Sequence, residues 1–199
     1  MLEDSVTTEH MATIARILGS FFYYPVNHEA NLQLREVLAQ DDQETVFTPV
    51  LALMDQTSAE AISSDFQTLF EGCEVMPAPP WGSVYLDKEQ VIFGESTISF
   101  RAFLTQHEMS LDTGMREPED QFGLMLLAMA QLLEEKQDLE AVKVMLGEHI
   151  LPWSSRYLEL VQKHADTEIY QMLAAIAEQW LLLLQEEYGI QPVEKRVYF

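Results

Sequence analysis

Apolar side chains recur along most of this chain at the spacing of amphipathic helices. Ile14, Leu18 and Phe21 follow this spacing near the start, and the run from Leu124 to Leu132 repeats it. Alternating runs, which are typical of half-buried strands, are nearly absent. The pattern predicts an all-α, single-domain helical bundle of about nine helices, at residues 8–24, 28–40, 45–55, 58–71, 96–108, 117–135, 138–148, 153–164 and 167–187.

Several residues at the predicted helix starts support these boundaries. Asn27 is expected to cap the second helix and Ser58 the fourth, because each side chain offers an oxygen to free backbone N–H groups. Asp166 or Thr167 is expected to cap the last helix in the same way. Pro152 is expected to separate two helices, since proline cannot continue the helix that precedes it.

Two stretches, residues 72–95 and 110–116, break the helical pattern. The first is far longer than the usual connection of about 4 to 6 residues, and such long loops are generally either disordered or functional. Aromatic residues in it argue against disorder. Its prolines restrict φ and make the segment stiff, which lowers the entropic cost of binding a ligand. We therefore predict a functional loop that contains proline and aromatic residues.

Trp81 and Tyr85 are the aromatic residues that make this loop a candidate binding element. They are four residues apart, and both are amphipathic rings of the kind enriched at interaction hot spots. One interpretation is that they present their rings to an extended or helical peptide. The alternative is that the loop packs across the bundle as a lid over the core. The sequence leaves both open.

A second candidate element is the acidic motif Glu117-Pro-Glu-Asp120, which opens the predicted helix at residues 117–135. Pro118 suits a first helical turn, and carboxylates there complement the helix dipole, so helix capping is one explanation. The motif also places three carboxylates within four residues, of which Arg116 can pair with only one. Planar carboxylates are preferred partners of guanidinium groups. The motif is therefore a candidate docking point for arginine.

Composition restricts the cellular setting and the partners. At 199 residues with 48% apolar side chains, one core can be buried without disulfides, and Cys73 has no partner to form one. The first ten residues lack the basic start of a signal peptide, and the apolar stretch Met172–Leu184 is too short to cross a bilayer. The chain is expected to be a soluble, cytoplasmic protein.

The formal net charge of −22 argues against nucleic acid and anionic lipid as partners and favours basic peptides. The alternative is that this acidity only confers solubility. Motifs of common catalytic sites are absent, and no Glu-x-x-His pair of a di-iron bundle occurs. The five histidines are scattered, and Trp153 in the His149-Ile-Leu-Pro-Trp153 stretch is expected to be a core residue. One catalytic alternative stays open: a metal-dependent phosphoester or nucleotide hydrolase that uses Glu119 and Asp120.

The loop and the acidic motif together resemble the TorD/DmsD family of redox-enzyme maturation chaperones, and its DmsD-like branch in particular. The resemblance spans almost the whole chain and is carried by residues 15–25, the Pro79-Pro-Trp-Gly-Ser-Val-Tyr-Leu-Asp87 loop, Phe93-Gly-Glu-Ser-Thr97, Glu117-Pro-Glu-Asp120 and Leu151-Pro-Trp153. It implies an all-helical chaperone, not an enzyme, and no cofactor of its own. The chaperone would bind the twin-arginine signal peptide of a molybdopterin-containing reductase and delay export until the cofactor is inserted.

The resemblance also implies which residues bind the peptide. The matching positions are Pro80, Trp81, Gly82, Ser83, Tyr85, Glu117, Pro118, Asp120 and Gln121. Arg16 and Tyr23 match the family's first helix, where a structural role is expected. The implied partners are the leader and the apo-form of the reductase catalytic subunit, with the Tat translocase as a further candidate.

Three positions depart from the family pattern. Gln121 stands where the family usually has histidine, which favours recognition over proton transfer because an amide can donate a hydrogen bond but cannot act as a proton carrier. Tyr85 stands where relatives often have tryptophan, and Glu74 where some have another aromatic residue. The choice of partner is therefore expected to differ. The sequence does not identify the client reductase, the oligomeric state or the role of the basic tail at residues 192–199.

Overall fold

The computed structural model describes residues 7–40, 44–72, 75–111, 114 and 116–199, and within them the fold is all-helical. The helices are α1 (Thr8–Tyr23), α2 (Leu32–Gln40), α3 (Thr48–Gln56), α4 (Ala59–Phe66), α5 (Gly82–Leu86), α6 (Glu95–Gln106), α7 (Phe122–Gln131), α8 (Leu139–Val144), α9 (Leu151–His164) and α10 (Glu168–Glu187). A 3-10 turn, Glu29–Asn31, precedes α2, and π-helical turns, Gln67–Glu71, Leu132–Lys136 and Met145–Ile150, extend α4, α7 and α8.

The predicted all-α class is confirmed, and each of the nine predicted segments overlaps a helix. The tenth helix of the described residues, α5, is a five-residue helix inside the stretch that was predicted as a loop. Pro152 lies in the first turn of α9, which follows the π-helical turn Met145–Ile150 directly, so the gap predicted between two helices at residues 149–152 is helical in the structure. The predictions for residues 1–6, Cys73 and Glu74 concern positions outside the described residues.

The helix starts correct several predicted caps. Ser58 caps α4 as predicted, accepting from the N–H of Ala61. Asn27 does not cap the second helix, because the Nδ1 atom of His28 accepts the N–H of Ala30 there. Thr167 is at the start of α10 but contributes no capping oxygen.

A buried carboxylate from another helix supplies the oxygens at the start of α10 instead. Asp65, on α4, accepts the N–H groups of Asp166 and Thr167 at 3.0 and 2.8 Å, and also the hydroxyl of Thr167 at 2.6 Å. This contact joins segments about a hundred residues apart, so the sequence around residue 166 carries no signal for it.

The crossing of α1 and α7 brings the two parts of the candidate site together. A Cβ atom added to Gly123 would lie 2.6 Å from the carbonyl oxygen of Gly19, and one added to Gly19 would lie 2.9 Å from that of Gly123. Only glycine allows backbones to approach so closely. The crossing places the end of α1, with Tyr23, beside the start of α7.

Aromatic rings fill the core beneath this crossing. Trp153 is buried as predicted, and its indole N–H donates to the carbonyl of His149 at 2.7 Å. Phe22, Phe122 and Tyr157 contact one another with ring centroids 5.0 to 6.1 Å apart, in the tilted and edge-on arrangements that aromatic pairs prefer.

The basic tail lies against the bundle. The N–H of Val193 donates to the carbonyl of Gly147 at 2.9 Å, and the N–H of Tyr198 donates to that of Tyr85 at 2.8 Å. Lys195 donates to the carbonyl of Glu148 at 2.9 Å. Among the described residues, no helix combines the length and the apolar character that crossing a bilayer requires.

Candidate functional site

The proline-containing loop and the acidic motif meet in a single short ladder. The N–H of Phe122 donates to the carbonyl of Pro80 at 2.8 Å, and the N–H of Gly82 donates to that of Asp120 at 3.1 Å. These bonds form an isolated antiparallel bridge between Trp81 and Gln121. The two segments that the sequence singled out therefore form one element, and each holds the other in place.

Asp120 lies beneath this bridge and is almost completely buried, with 2% of its surface exposed. One carboxylate oxygen accepts the N–H of Ser83 at 2.6 Å and the other accepts the hydroxyl of Thr97 at 2.8 Å. Burial raises the pKa of Asp120, and these hydrogen bonds offset part of the rise. In this structure both oxygens of Asp120 are engaged inside the protein, so Asp120 is not placed to accept a peptide arginine directly.

Gln121 is the capping residue of α7, which begins at Phe122 rather than at the predicted residue 117. Its Oε1 accepts the N–H of Leu124 at 2.8 Å, and its Nε2 donates to the carbonyl of Phe22 at 3.1 Å. The amide thus joins the start of α7 to the end of α1. Glu117 and Pro118 precede the helix, so their predicted role in its first turn is wrong.

Glu117 is the carboxylate of the motif that stays accessible. It is half-buried, and its Oε1 accepts the indole N–H of Trp81 at 2.6 Å. Burial raises the pKa of Glu117; the Trp81 hydrogen bond opposes the rise, while the nearby carboxylates of Asp120 and Glu71 add to it. A cation placed here would relieve this repulsion.

Glu119 is paired within the protein. Arg101, on α6, donates to its two oxygens at 2.6 and 2.7 Å, a bidentate pair that lowers the pKa of Glu119. Arg116, the partner considered from sequence, instead has its guanidinium 5.3 Å from the ring centre of Phe93. The three neighbouring carboxylates therefore have three different environments.

A cleft of about 470 Å³ opens beside Glu117 and lies within the size range of ordinary ligand pockets. Its lining combines aromatic rings and prolines with carboxylates: Tyr23, Tyr24, Pro25, His28, Phe66, Phe70, Glu71, Pro80, Trp81, Glu117 and Gln121. The cleft thus offers an apolar wall and two acidic side chains. We define these residues as the acidic cleft.

The structure brings only part of the predicted set to this cleft. Pro80, Trp81, Glu117 and Gln121 line it. Gly82, Ser83, Pro118 and Asp120 are buried and belong to the support beneath it. A Cβ atom on Gly82 would lie 3.0 Å from the indole nitrogen of Trp153, so this glycine allows close packing of α5 on α9.

Tyr85 corrects the interpretation of the loop. Its ring is fully buried, stacks on Trp153 at a centroid distance of 5.2 Å, and meets Phe199 of the tail at 5.3 Å. The prediction that Trp81 and Tyr85 both face a peptide is therefore wrong for Tyr85. α5 begins directly after Trp81, and the two rings have different surroundings. Trp81 lines the cleft, whereas Tyr85 packs against the bundle.

Several residues of the cleft were not identified from the sequence. Tyr24, His28, Phe66, Phe70 and Glu71 come from the end of α1, the turn after it and the end of α4. Phe66 and Phe70 follow the ordinary spacing of a buried helix face, so nothing local marks them as part of a site. Tyr23 was expected to have a structural role and lines the cleft, and Arg16 pairs with Glu134 away from it.

The hydrolase alternative has no support at this site. Glu119 and Asp120 would have to turn free oxygens toward one cation, yet each accepts two hydrogen bonds from protein donors. In the part of the chain that the structure describes, no group of three acidic, histidine or cysteine side chains is placed to hold a metal.

Comparisons with known proteins agree on one family. A family model described as nitrate reductase delta subunit matches residues 26–159. The chain is 36% identical to the Tat proofreading chaperone DmsD of Salmonella typhimurium over 93% of this chain and 96% of that protein. It is 34% identical to a DmsD chaperone of Haemophilus influenzae over 96% and 98%.

A solved structure shares the fold. It is described as a redox enzyme maturation protein from Archaeoglobus fulgidus and superposes with a TM-score of 0.61 at 18% identity. The similarity covers 88% of this chain and 94% of that one. At this identity the match supports the helical fold alone.

Proposed function

This chain belongs to the family of the nitrate reductase delta subunit and the DmsD and TorD chaperones, and on that premise we propose that it binds the twin-arginine leader of a molybdopterin-containing reductase. Its relatives are named as chaperones and a maturation protein rather than enzymes. Binding would delay export of the client until its cofactor is inserted and it has folded.

The observation that carries this proposal is the position of Glu117 at the wall of the acidic cleft. Its carboxylate is held by Trp81, and a second carboxylate, Glu71, lines the same cleft. A guanidinium group bound here would have a planar acceptor and aromatic faces around it, both of which favour arginine over lysine. The site therefore suits one arginine of the pair.

The net charge of −22 supports the same partner at longer range. A basic leader is attracted before it makes contact, which accelerates association and makes binding sensitive to salt. Binding of a flexible leader costs ordering entropy, and a site that is held in place by the Trp81–Gln121 bridge reduces the additional cost of ordering the protein.

The proposal also covers the cellular compartment of the chaperone and its further partners. A leader must be bound before export, so the chaperone acts in the cytoplasm. The mature part of the apo-reductase is a second contact candidate, and the Tat translocase a third. The chaperone would meet both partners while it holds the leader, since the leader is covalently joined to the client and is later recognised by the translocase.

The test is calorimetric titration with leader peptides from the host's molybdenum-containing reductases, each paired with versions in which both arginines are replaced by lysine or by alanine. We expect one leader to bind, the lysine version to bind about tenfold more weakly, and the alanine version to show no measurable binding. Raising the salt concentration is expected to weaken binding of the natural leader.

The matched protein variants are Glu117→Gln and Glu186→Gln. Both change the net charge equally, but Glu186 is exposed on α10, away from the acidic cleft. Glutamine at position 117 can still accept from Trp81, so the change removes the charge with little disturbance of the bridge. Only Glu117→Gln is expected to weaken binding, by about tenfold. Equal affinities for the two variants would contradict the proposal.

If no leader in the panel binds measurably, we infer that the chaperone recognises the mature apo-reductase instead. In that case, removing the leader from the client would leave its affinity for the chaperone unchanged.

A further inference from the structure

The basic tail, residues 192–199, is attached to the bundle at two separate levels. The N–H of Val193 donates to the carbonyl of Gly147, and five residues later the N–H of Tyr198 donates to the carbonyl of Tyr85. Residues 193–198 are all exposed. Exposed segments with few buried contacts have low local stability, so the basic tail can detach while the helices stay folded.

The second attachment joins the end of the basic tail to α5 and α9. The Nε2 of Gln90 donates to the carbonyl of Tyr198 at 2.6 Å, and the Nε of Arg156 on α9 donates to the main-chain oxygen of Phe199 at 3.2 Å. The ring of Phe199 meets that of Tyr85 edge-on at a centroid distance of 5.3 Å. The end of the basic tail therefore contacts α5 and α9 together.

α5 needs such support. It has only five residues, and a helix of this length is not stable without packing. The ring of Tyr85 is buried against Trp153 and Tyr157. In the part of the chain that the structure describes, neither the hydroxyl of Tyr85 nor that of Tyr157 has a protein hydrogen-bond partner. Burying a hydroxyl without a partner is unfavourable, so the position of α5 depends on its other contacts, including those with the basic tail.

α5 is also continuous with the wall of the acidic cleft. Trp81 precedes it directly, and the N–H of Ser83 donates to the carboxylate of Asp120 at 2.6 Å. A displacement of α5 would therefore disturb the contact between Trp81 and Glu117. Tyr85 lies only four residues after Trp81, so the basic tail and the cleft contact the two ends of one short segment.

Charge favours the docked position of the basic tail. Lys195 and Arg196 line a shallow depression together with Asp87 and Glu95, and Lys195 also donates to the carbonyl of Glu148 at 2.9 Å. Opposite charges at an exposed surface attract weakly, and salt screens them. Docking is therefore favourable but reversible.

We propose that the basic tail is a latch for the acidic cleft. When docked, it holds α5 against α9 and keeps Trp81 and Glu117 in contact. When it detaches, α5 leaves its position and the cleft loses affinity for its ligand. The effect on affinity rests on the proposed leader-binding function, whereas the effect on α5 does not. Because coupling between two sites is reciprocal, a ligand in the cleft also strengthens docking of the basic tail.

The first test is amide hydrogen exchange of the intact chain, followed by mass spectrometry. Phe199→Ala removes the ring contact with α5, and Gln90→Ala removes an exposed donor to the basic tail without touching the core. Residues 80–86 and 119–123 are expected to exchange about tenfold faster in Phe199→Ala, and faster by a smaller factor in Gln90→Ala. Exchange in α10 is expected to stay unchanged, because the latch is local.

Two matched variants are the controls for this measurement. Phe199→Tyr keeps an aromatic ring on α5 and is expected to behave as the wild type does. Val197→Ala shortens an exposed side chain of the same tail and is expected to change nothing.

The second test is calorimetric titration of these four variants with the leader that binds the wild type best. Phe199→Ala is expected to weaken binding about tenfold and Gln90→Ala by a smaller factor, whereas the two controls keep the affinity of the wild type. In the reverse direction, bound leader is expected to slow amide exchange in residues 193–199 of the wild type.

The outcomes separate the latch from the proposed function. Unchanged exchange of residues 80–86 in both Phe199→Ala and Gln90→Ala would overturn the latch, and so would an equal rise in α10, because the whole fold would then have loosened. Faster exchange of residues 80–86 with unchanged leader affinity would overturn the coupling to the cleft. If no leader binds the wild type, the proposed function fails, but the exchange measurement still decides whether the basic tail holds α5.

Discussion

The indole Nε1 of Trp81 donates a hydrogen bond of 2.6 Å to Oε1 of Glu117, 36 residues further along the chain. This bond joins the proline-containing loop to the acidic motif at the wall of the cleft. It also orients the carboxylate of Glu117 at this wall.

The first prediction concerns this bond. Trp81→Phe keeps an aromatic ring at the wall but removes the donor, so Glu117 is no longer oriented. We expect affinity for the leader to fall about tenfold, because the carboxylate is no longer held toward the ligand. Calorimetric titration measures it, with thermal unfolding as the check that the fold is intact. Full affinity in Trp81→Phe would show that the ring alone matters.

The second prediction concerns pH. Burial raises the pKa of Glu117, and guanidinium binding requires the ionised carboxylate. Affinity is therefore constant above this raised pKa and falls as the pH drops through it, by up to about tenfold per pH unit. Titrations from pH 8 to pH 4 measure it. Glu117→Gln is expected to remove this dependence.

The imidazole of His28 also lines the cleft, so His28→Asn is the control variant, since an asparagine side chain can still cap the turn at Ala30. A pH profile that Glu117→Gln leaves unchanged would refute the prediction.

The third prediction concerns the support beneath the cleft. Asp120→Ala leaves the N–H of Ser83 and the hydroxyl of Thr97 without their acceptor in a buried site. We expect the free energy of unfolding to fall by about 2 to 4 kcal/mol, since each buried donor without a partner costs about 1 to 3 kcal/mol. Urea unfolding measures it. Asp55→Ala, an exposed aspartate on α3, is the control and should change stability little.

The fourth prediction concerns the crossing of α1 and α7. In Gly123→Ala the new methyl group would lie 2.6 Å from the carbonyl oxygen of Gly19, so the two helices must move apart. We expect a loss of about 1 to 3 kcal/mol in unfolding free energy, together with weaker leader binding because Tyr23 shifts. In Gly147→Ala the nearest atom, Cγ2 of Ile190, would be 3.3 Å away, so this helical glycine is the milder control.

Helix content was readable from the sequence because the period of apolar residues is a local property. The nine predicted segments overlap helices for this reason. Boundaries were less accurate where a distant group decides them. The amide of Gln121 caps α7 while it also bonds the carbonyl of Phe22, so the helix begins after the acidic motif rather than within it.

The candidate site shows the same division. The sequence identified Trp81 and the acidic motif, since their residue types and clustering are unusual in a helical bundle. It did not distinguish Glu117, Glu119 and Asp120, which lie within four consecutive positions. Their surroundings come from residues far away in the chain: Trp81 contacts the first, Arg101 the second, and Thr97 the third.

By itself, the sequence determined an all-helical chain of strong negative charge, with a proline-containing aromatic segment and a motif of three neighbouring carboxylates. Only the tertiary structure decided that Glu117 is the accessible carboxylate, that Tyr85 is buried, and that Phe66, Phe70 and Tyr24 line the cleft. Periodicity and charge are properties of neighbouring residues, whereas exposure and pKa depend on which distant side chains the fold brings into contact.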